Sequence, residues 1–239
     1  MKIICAVLCY NSEKTIINVL KELKKIQTKF DFLFIDDGST DNTLKILNSF
    51  KVKKIRHNKN KGYGSAVKSA FKYAKKKKYK YLAIFPGDNQ RYIKDLITMA
   101  TKIKKDNLDM ISGSKYNLLK QIPFHRKIGN IFFSKIANIM WDSKINDVLT
   151  GFKIYKINSI YKYLIYFPNN YSFDIILNQV VSLKKMRTKE INVKCKYNKH
   201  TTSMKSFFKI HKKNIGIIGL LMIMNSLSFF VKFKLRLIN

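Results

Sequence analysis

Three apolar runs early in the chain, at 3–8, 32–35 and 81–85, each end in a short polar motif. The motifs are Tyr10-Asn11-Ser12-Glu13-Lys14-Thr15-Ile16, Asp36-Asp37-Gly38-Ser39-Thr40-Asp41 and Pro86-Gly87-Asp88-Asn89-Gln90. Short apolar runs bounded by turn residues read as strands of a sheet covered on both faces. Carboxylates placed just past the C-terminal ends of successive parallel strands converge on one crevice, where open α/β sheets bind ligands. Asp36 and Asp37 are adjacent acids at a strand end and repel each other unless something compensates. In a chain this basic, the relay reads as a nucleotide and metal site rather than as solubilising surface.

Amphipathic stretches separate the runs. Ile16, Ile17, Leu20, Leu23 and Ile26 recur at helical spacing after the first strand. Further helices are expected at about 41–50, 62–76, 93–104 and 172–184, with strands at 53–56, 109–112 and 187–194. Strand–helix alternation of this kind gives a mostly parallel sheet flanked by helices. Gly62 and Gly64 open one of the helices, where backbone N–H groups can approach a phosphate; turn geometry alone also accounts for them. Asp41 is placed to cap a helix, and Glu13 is a first-turn carboxylate favoured by the helix dipole.

With 239 residues, 46% of them hydrophobic, the chain has ample material for one core and is not disordered. Its formal charge of +34 has three readings: compositional drift towards Lys, attraction to an anionic membrane leaflet, and nucleic-acid binding. The chain has 5 Arg (Arg56, Arg91, Arg126, Arg187 and Arg236), and base readout relies on the bidentate Arg fork. No nucleic-acid partner is expected. Cys5, Cys9 and Cys195 fit small core positions in a reducing cytoplasm, and no signal peptide is expected at the N-terminus.

The chain divides into a domain over 1–206 and an appendage over 207–239. Residues 215–231 are almost wholly apolar and flanked by basic residues. An all-apolar helix is either buried or in a membrane, so this segment reads as a membrane-associated helix or as one docked on the protein. The stretch 124–141 mixes apolar residues with Arg126, Lys127 and Lys135. It reads as a core-facing helix, or as a surface touching lipid.

The motifs resemble those of the family 2 glycosyltransferases, which have the GT-A fold, and are most similar to the branch that makes dolichyl- or polyprenyl-phosphate sugars. Asn11 to Ile16 resembles the family's Asn-Glu-Glu-x-Thr-Ile, and Ile35 to Thr43 its Val-Asp-Asp-Gly-Ser-x-Asp-x-Thr. Asn58 to Ala66 resembles the glycine-rich stretch, and Asp147 to Tyr155 the later Asp-x-x-Ser-Gly-Phe-Arg block. Four motifs in register cover most of the chain, from about Ile3 to Ser206.

The resemblance implies an inverting transfer of a hexose-type sugar from a nucleotide-sugar donor. Leu8, Tyr10 and Glu13, with Asp36 and Asp37, would line the base and ribose pocket, and Gly62 and Gly64 would approach the phosphates. Asp88 matches the second Asp of the family's Asp-x-Asp, and with Gln90 it would hold Mg²⁺ or Mn²⁺. The first Asp of that motif is Pro86 here, which removes one carboxylate. Asp147 would activate an acceptor hydroxyl, or orient groups if the acceptor is already an ionised phosphate. Lys115, Arg126 and Lys127 would bind an acceptor phosphate, with Lys115 standing where the branch commonly has Arg. His200 lies in a weaker match and reads as a surface residue.

The implied acceptor is a polyprenyl (dolichyl-type) phosphate at the cytoplasmic face of the membrane. The alternatives are a saccharide acceptor in capsule or cell-envelope synthesis, and a catalytically silent basic protein that binds membranes or nucleic acid.

Overall fold

The computed structural model describes residues 3–114, 135, 145–148 and 150–196. In chain order the elements are β1 (Ile3–Cys9), α1 (Glu13–Lys24), β2 (Phe30–Asp36), α2 (Thr43–Ser49), β3 (Lys54–Arg56), α3 (Tyr63–Lys76) and β4 (Tyr81–Pro86). Then follow α4 (Ile93–Lys105), β5 (Met110–Ser114), β6 (Lys153–Lys156), α5 (Ile157–Ile160), a 3-10 turn (Tyr161–Tyr166), α6 (Phe173–Leu183) and β7 (Thr188–Asn192). They build one seven-stranded sheet of order β3-β2-β1-β4-β6-β5-β7. β3, β2, β1 and β4 are parallel; β6 runs antiparallel between β4 and β5, and β7 pairs parallel with β5.

Side chains on a strand alternate between faces, so each apolar run feeds two cores. Ile4, Ala6, Leu33, Ile35, Leu82 and Ile84 meet Val67, Ala70 and Phe71 of α3 and Ile176 and Val180 of α6. Ile3, Cys5, Val7, Phe34, Ala83 and Phe85 meet Ile16 and Leu20 of α1 and Leu96 and Met99 of α4. Cys5 and Cys9 are free, buried thiols, and burial pushes both well above the usual range. α1 ends in Lys21 and Lys24 and α4 in Lys102, Lys104 and Lys105, which complements the negative end of each helix dipole.

The sheet is mostly parallel, as the sequence implies, with one addition. β6 has only four residues, two of them lysines, and carries no alternating pattern; it becomes a strand because it fills the slot between β4 and β5. Its first residue, Lys153, points into the core and forms an ion pair with Asp174 at 2.6 Å, with side-chain exposures of 0% and 5%. Burial raises the Asp174 carboxyl, and Lys153 opposes that rise.

Residues 115–134, 136–144, 149 and 197–239 lie outside the described residues, and with them all but Lys135 of the helix expected at 124–141 and the whole of the one expected at 215–231. Among the described residues no helix is long and apolar enough to cross a membrane.

Removing one partner of a buried pair strands the other charge. Lys153→Ala is expected to cost about 3–5 kcal/mol in urea-monitored unfolding. The double change Lys153→Met with Asp174→Leu is expected to recover most of it. Equal losses in the single and the double variant would show that the pair itself is not the source of the cost.

Candidate active site

The strand register brings the motifs to one edge of the sheet. Cys9 is level with Asp36 and Leu8 with Pro86, so the residues that follow β1, β2 and β4 emerge side by side. Backbone bonds hold them there: the Asp37 N–H donates to the Cys9 carbonyl at 2.9 Å, and the Gly87 N–H to the Leu8 carbonyl at 2.9 Å. Because β6 is antiparallel, Lys153 pairs with Ile84 near the C-terminal end of β4. The Asp147 block that precedes β6 therefore reaches the same edge. β5 and β7 also end there, with Ser114 level with Asn192.

Tyr10 is 42% exposed at this edge, and Leu8 is half-buried behind it. The loop after β1 is stitched to the loop after β2. Asn11 N–H donates to Ser39 Oγ at 3.0 Å, Thr40 N–H to Asn11 Oδ1 at 2.9 Å, and Ser12 N–H to Thr43 Oγ1 at 2.7 Å. Glu13 Oε2 accepts from the Asn42 N–H and side chain, both at 3.1 Å. Asp41 accepts from the N–H of Glu13 at 3.1 Å and of Thr43 at 2.9 Å, so it caps the starts of both α1 and α2.

Asp36 is fully buried, with one oxygen accepting the Ser39 N–H at 3.0 Å and the other 3.8 Å from Arg56 Nε. Asp37 is the busiest side chain of the edge. Its Oδ1 lies 2.6 Å from His57 Nδ1 and accepts the Lys61 N–H at 3.0 Å, while its Oδ2 accepts the Gly62 N–H at 2.9 Å. His57 Nε2 in turn lies 2.9 Å from Ser69 Oγ on α3. The repulsion between the adjacent acids is met by two separate sets of donors.

The glycines of the 62–64 turn have a packing role. Gly62 has φ +92°, and a Cβ there would lie 2.5 Å from the Asn169 carbonyl oxygen; one on Gly64 would lie 2.2 Å from that of Pro168. The 168–172 loop thus lies directly on the start of α3, and the Ser65 N–H donates to the Asn169 carbonyl at 3.1 Å. This contact presents Tyr171, 39% exposed and stacked on Tyr63 with ring centroids 5.7 Å apart and planes 8° apart. Burial raises the Tyr171 hydroxyl pKa, and the nearby Asp37 and Tyr10 add to it. Tyr171 sits in an Asn-Asn-Tyr-Ser turn without an apolar run, so no local pattern singles it out.

On the other half of the edge, Asp88 Oδ1 accepts the Gln90 N–H at 3.0 Å, with Asn89 between them at φ +58°. The Gln90 carbonyl accepts the Lys196 N–H at 2.9 Å. Among the described residues no group of three or more His, Cys, Asp or Glu is placed to hold a metal. Asp88 and Gln90 nevertheless supply hard oxygen donors. That set suits Mg²⁺ or Mn²⁺, ions whose shells are usually completed by water and substrate phosphates.

Asp147 is buried, and its own N–H donates to Glu190 Oε1 at 2.9 Å. Asn146 donates to Glu190 Oε2 from both its backbone and its side chain. The edge therefore gathers Leu8, Tyr10, Glu13, Asp36, Asp37, Gly62, Gly64, Asp88, Gln90 and Asp147, while Lys115, Arg126, Lys127 and His200 lie outside the described residues.

A sheet of this topology, with its loops and carboxylates collected at the C-terminal edge, has the GT-A architecture. Residues 5–164 match the model of glycosyl transferase family 2, and the chain belongs to that family. It is 37% identical to an uncharacterized protein of Methanocaldococcus jannaschii over 161 residues, 62% of this chain and 68% of the relative. It is 26% identical over 171 residues to the UDP-N-acetylglucosamine–dolichyl-phosphate N-acetylglucosaminyltransferase of Methanococcus voltae, covering 63% of this chain and 68% of that one. Its fold is similar to that of glucosyl-3-phosphoglycerate synthase from Mycobacterium tuberculosis, solved with Mn²⁺, UDP-glucose and phosphoglyceric acid. The TM-score is 0.69 at 12% identity, covering 95% of this chain and 79% of that chain. The protein is a nucleotide-sugar-dependent glycosyltransferase.

Asp37→Ala removes the acceptor of the Lys61 and Gly62 N–H groups and the buried partner of His57. It is expected to cost about 3 kcal/mol, read as a fall in Tm. Asp37→Asn, which keeps an acceptor, is expected to cost less. An Asp37→Ala variant that melts like the wild type would show that the loop is held by other contacts.

Proposed function

We propose that this enzyme transfers one sugar, with inversion, from a nucleoside diphosphate sugar to an acceptor that enters at the C-terminal edge of the sheet. The observation that carries this is the register that sets Tyr10, Asp37, Asp88 and Asp147 along one edge. Tyr10 would stack on the base, in the half of the edge that Asp37 and the glycine turn shape. Asp88 and Gln90 would hold Mg²⁺ or Mn²⁺, which supplies positive charge against the departing diphosphate. In the transfer, a bond forms between an acceptor oxygen and the anomeric carbon while the bond from that carbon to the diphosphate breaks. The diphosphate leaves with the electron pair.

The acceptor has two readings. A dolichyl- or polyprenyl-type phosphate is supported by the printed activity of the Methanococcus voltae relative and needs no base, because its oxygen is already ionised. Lys115, Arg126 and Lys127 would then hold the acceptor phosphate, with the enzyme working at the cytoplasmic membrane face. A saccharide hydroxyl asks less of the observations, since family membership and fold require only a nucleotide sugar and an acceptor. The burial of Asp147 favours this second reading. A carboxylate held at that edge would take the proton that the attacking hydroxyl loses.

The full-length protein would be incubated with labelled UDP- and GDP-sugars, Mg²⁺ or Mn²⁺, and either a polyprenyl phosphate or a saccharide acceptor. Transfer is expected from one donor, with Asp88→Ala slower by about 10²–10³-fold. Label that extracts into organic solvent, is released by mild acid and persists in Asp147→Asn identifies the lipid phosphate. Water-soluble label lost in Asp147→Asn identifies the saccharide. Absence of transfer to either acceptor, from any donor, would sink both readings.

A further inference from the structure

Immediately after Gln90 the chain carries a cation that forms no close ion pair among the described residues. Arg91 is 6% exposed, and its Nε and Nη1 are buried without a hydrogen-bond acceptor. Its guanidinium lies over the Phe152 ring, 5.5 Å from the centroid. Among the described residues no carboxylate reaches it within ion-pairing distance. The acid it does feel is Asp95, one turn along α4, whose Oδ2 accepts the Lys194 N–H at 3.1 Å. Lys194 and Lys196 follow β7, and the Lys196 ammonium sits 4.6 Å from the ring centroid of the neighbouring Tyr92.

A guanidinium held out of water without an anion is costly, and stacking on an aromatic face offsets only part of that cost. A fold that keeps such a group is incomplete until an anion arrives. The position is specific to the site. Arg91 follows Asp88 and Gln90 directly, while Phe152 lies beside the end of β5, where the Gly113 N–H donates to the Phe152 carbonyl at 2.9 Å. Pro86 leaves this half of the edge one carboxylate poorer than the family motif.

We propose that Arg91 binds a substrate phosphate beside Asp88 and Gln90, its unpartnered N–H groups taking phosphate oxygens. This rests on the transferase reading above and adds a residue to it. The phosphate comes from one of two sources: the diphosphate of the donor, or the phosphate of a lipid acceptor. Either source satisfies the fork, which matches phosphate in a bidentate manner that Lys does not reproduce.

The test uses the full-length protein, Arg91→Met and Arg91→Lys. Melting is measured without ligand, and affinity is measured by calorimetry for UDP, GDP and farnesyl phosphate. Loss of an unpaired buried charge is expected to leave the Tm of Arg91→Met equal to or above that of the wild type. The same variant is expected to bind one probe class about 10–100-fold more weakly, with Arg91→Lys intermediate. Weakened nucleotide binding assigns the phosphate to the donor; weakened farnesyl phosphate binding assigns it to the acceptor. Unchanged affinity for all three probes overturns the proposal, as does wild-type protein that binds none of them. A fall of several degrees in the Tm of unliganded Arg91→Met also overturns it, since that marks a structural group. Wild-type sugar transfer, measured on the same preparation, separates the two failures: transfer with unmoved affinities sinks only the role of Arg91, and no transfer sinks the reading beneath it.

Discussion

The organisation of the edge depends on the buried carboxylate of Asp37. It gathers a histidine and two backbone N–H groups from the 57–62 loop and fixes where α3 begins relative to the end of β2. Charge-assisted hydrogen bonds from a neutral backbone to a buried carboxylate are among the stronger polar contacts a protein makes, and they also blunt the repulsion from Asp36. Once α3 is seated, Gly62 and Gly64 admit the 168–170 backbone, which carries Tyr171 to the rim and sets the start of α6. Asp174, near that start, then meets Lys153 on β6. One carboxylate is thus linked, through a chain of close contacts, to both halves of the edge.

Much of the frame was legible in the sequence because it follows from periodicity. β1, β2, β4, α1, α3 and α4 fall where apolar runs and helical spacing put them, and the parallel crossovers follow from their alternation. β6 was not legible. Its four residues have no pattern of their own, and their conformation is imposed by the strands on either side. The glycine turn has the same difficulty at longer range, since its crowding partner, Pro168 to Asn170, lies about a hundred residues further along the chain. Arg91 was hidden for a different reason: one Arg in a chain with 48 Lys and Arg residues carries no signal until its burial is known.

The basic composition and the acidic edge act at different distances. Exposed lysines are screened beyond about 8–10 Å at physiological salt and set a general attraction to anions. The buried groups, Asp36, Asp37, Asp147, Asp174, Lys153 and Arg91, act in a poorer dielectric, where each contact is stronger and each unmatched charge costlier. Buried groups can therefore discriminate between ligands more sharply than exposed ones. The surrounding lysines raise the local concentration of a phosphorylated ligand without reading its shape.

Within that buried set, Asp147 and Arg91 make opposite demands on an acceptor. Glu190 holds the backbone of Asn146 and Asp147 from β7, so the carboxylate is positioned through its main chain and has little freedom to withdraw. A phosphate approaching such a group needs a cation to offset the repulsion, whereas a sugar hydroxyl needs only the carboxylate. Arg91 can supply that offset if it faces the acceptor. If it faces the donor, a lipid phosphate would depend on Lys115, Arg126 and Lys127 for that offset, whereas a neutral hydroxyl would need none. The side on which Arg91 would take its phosphate therefore bears on which acceptor class the site suits.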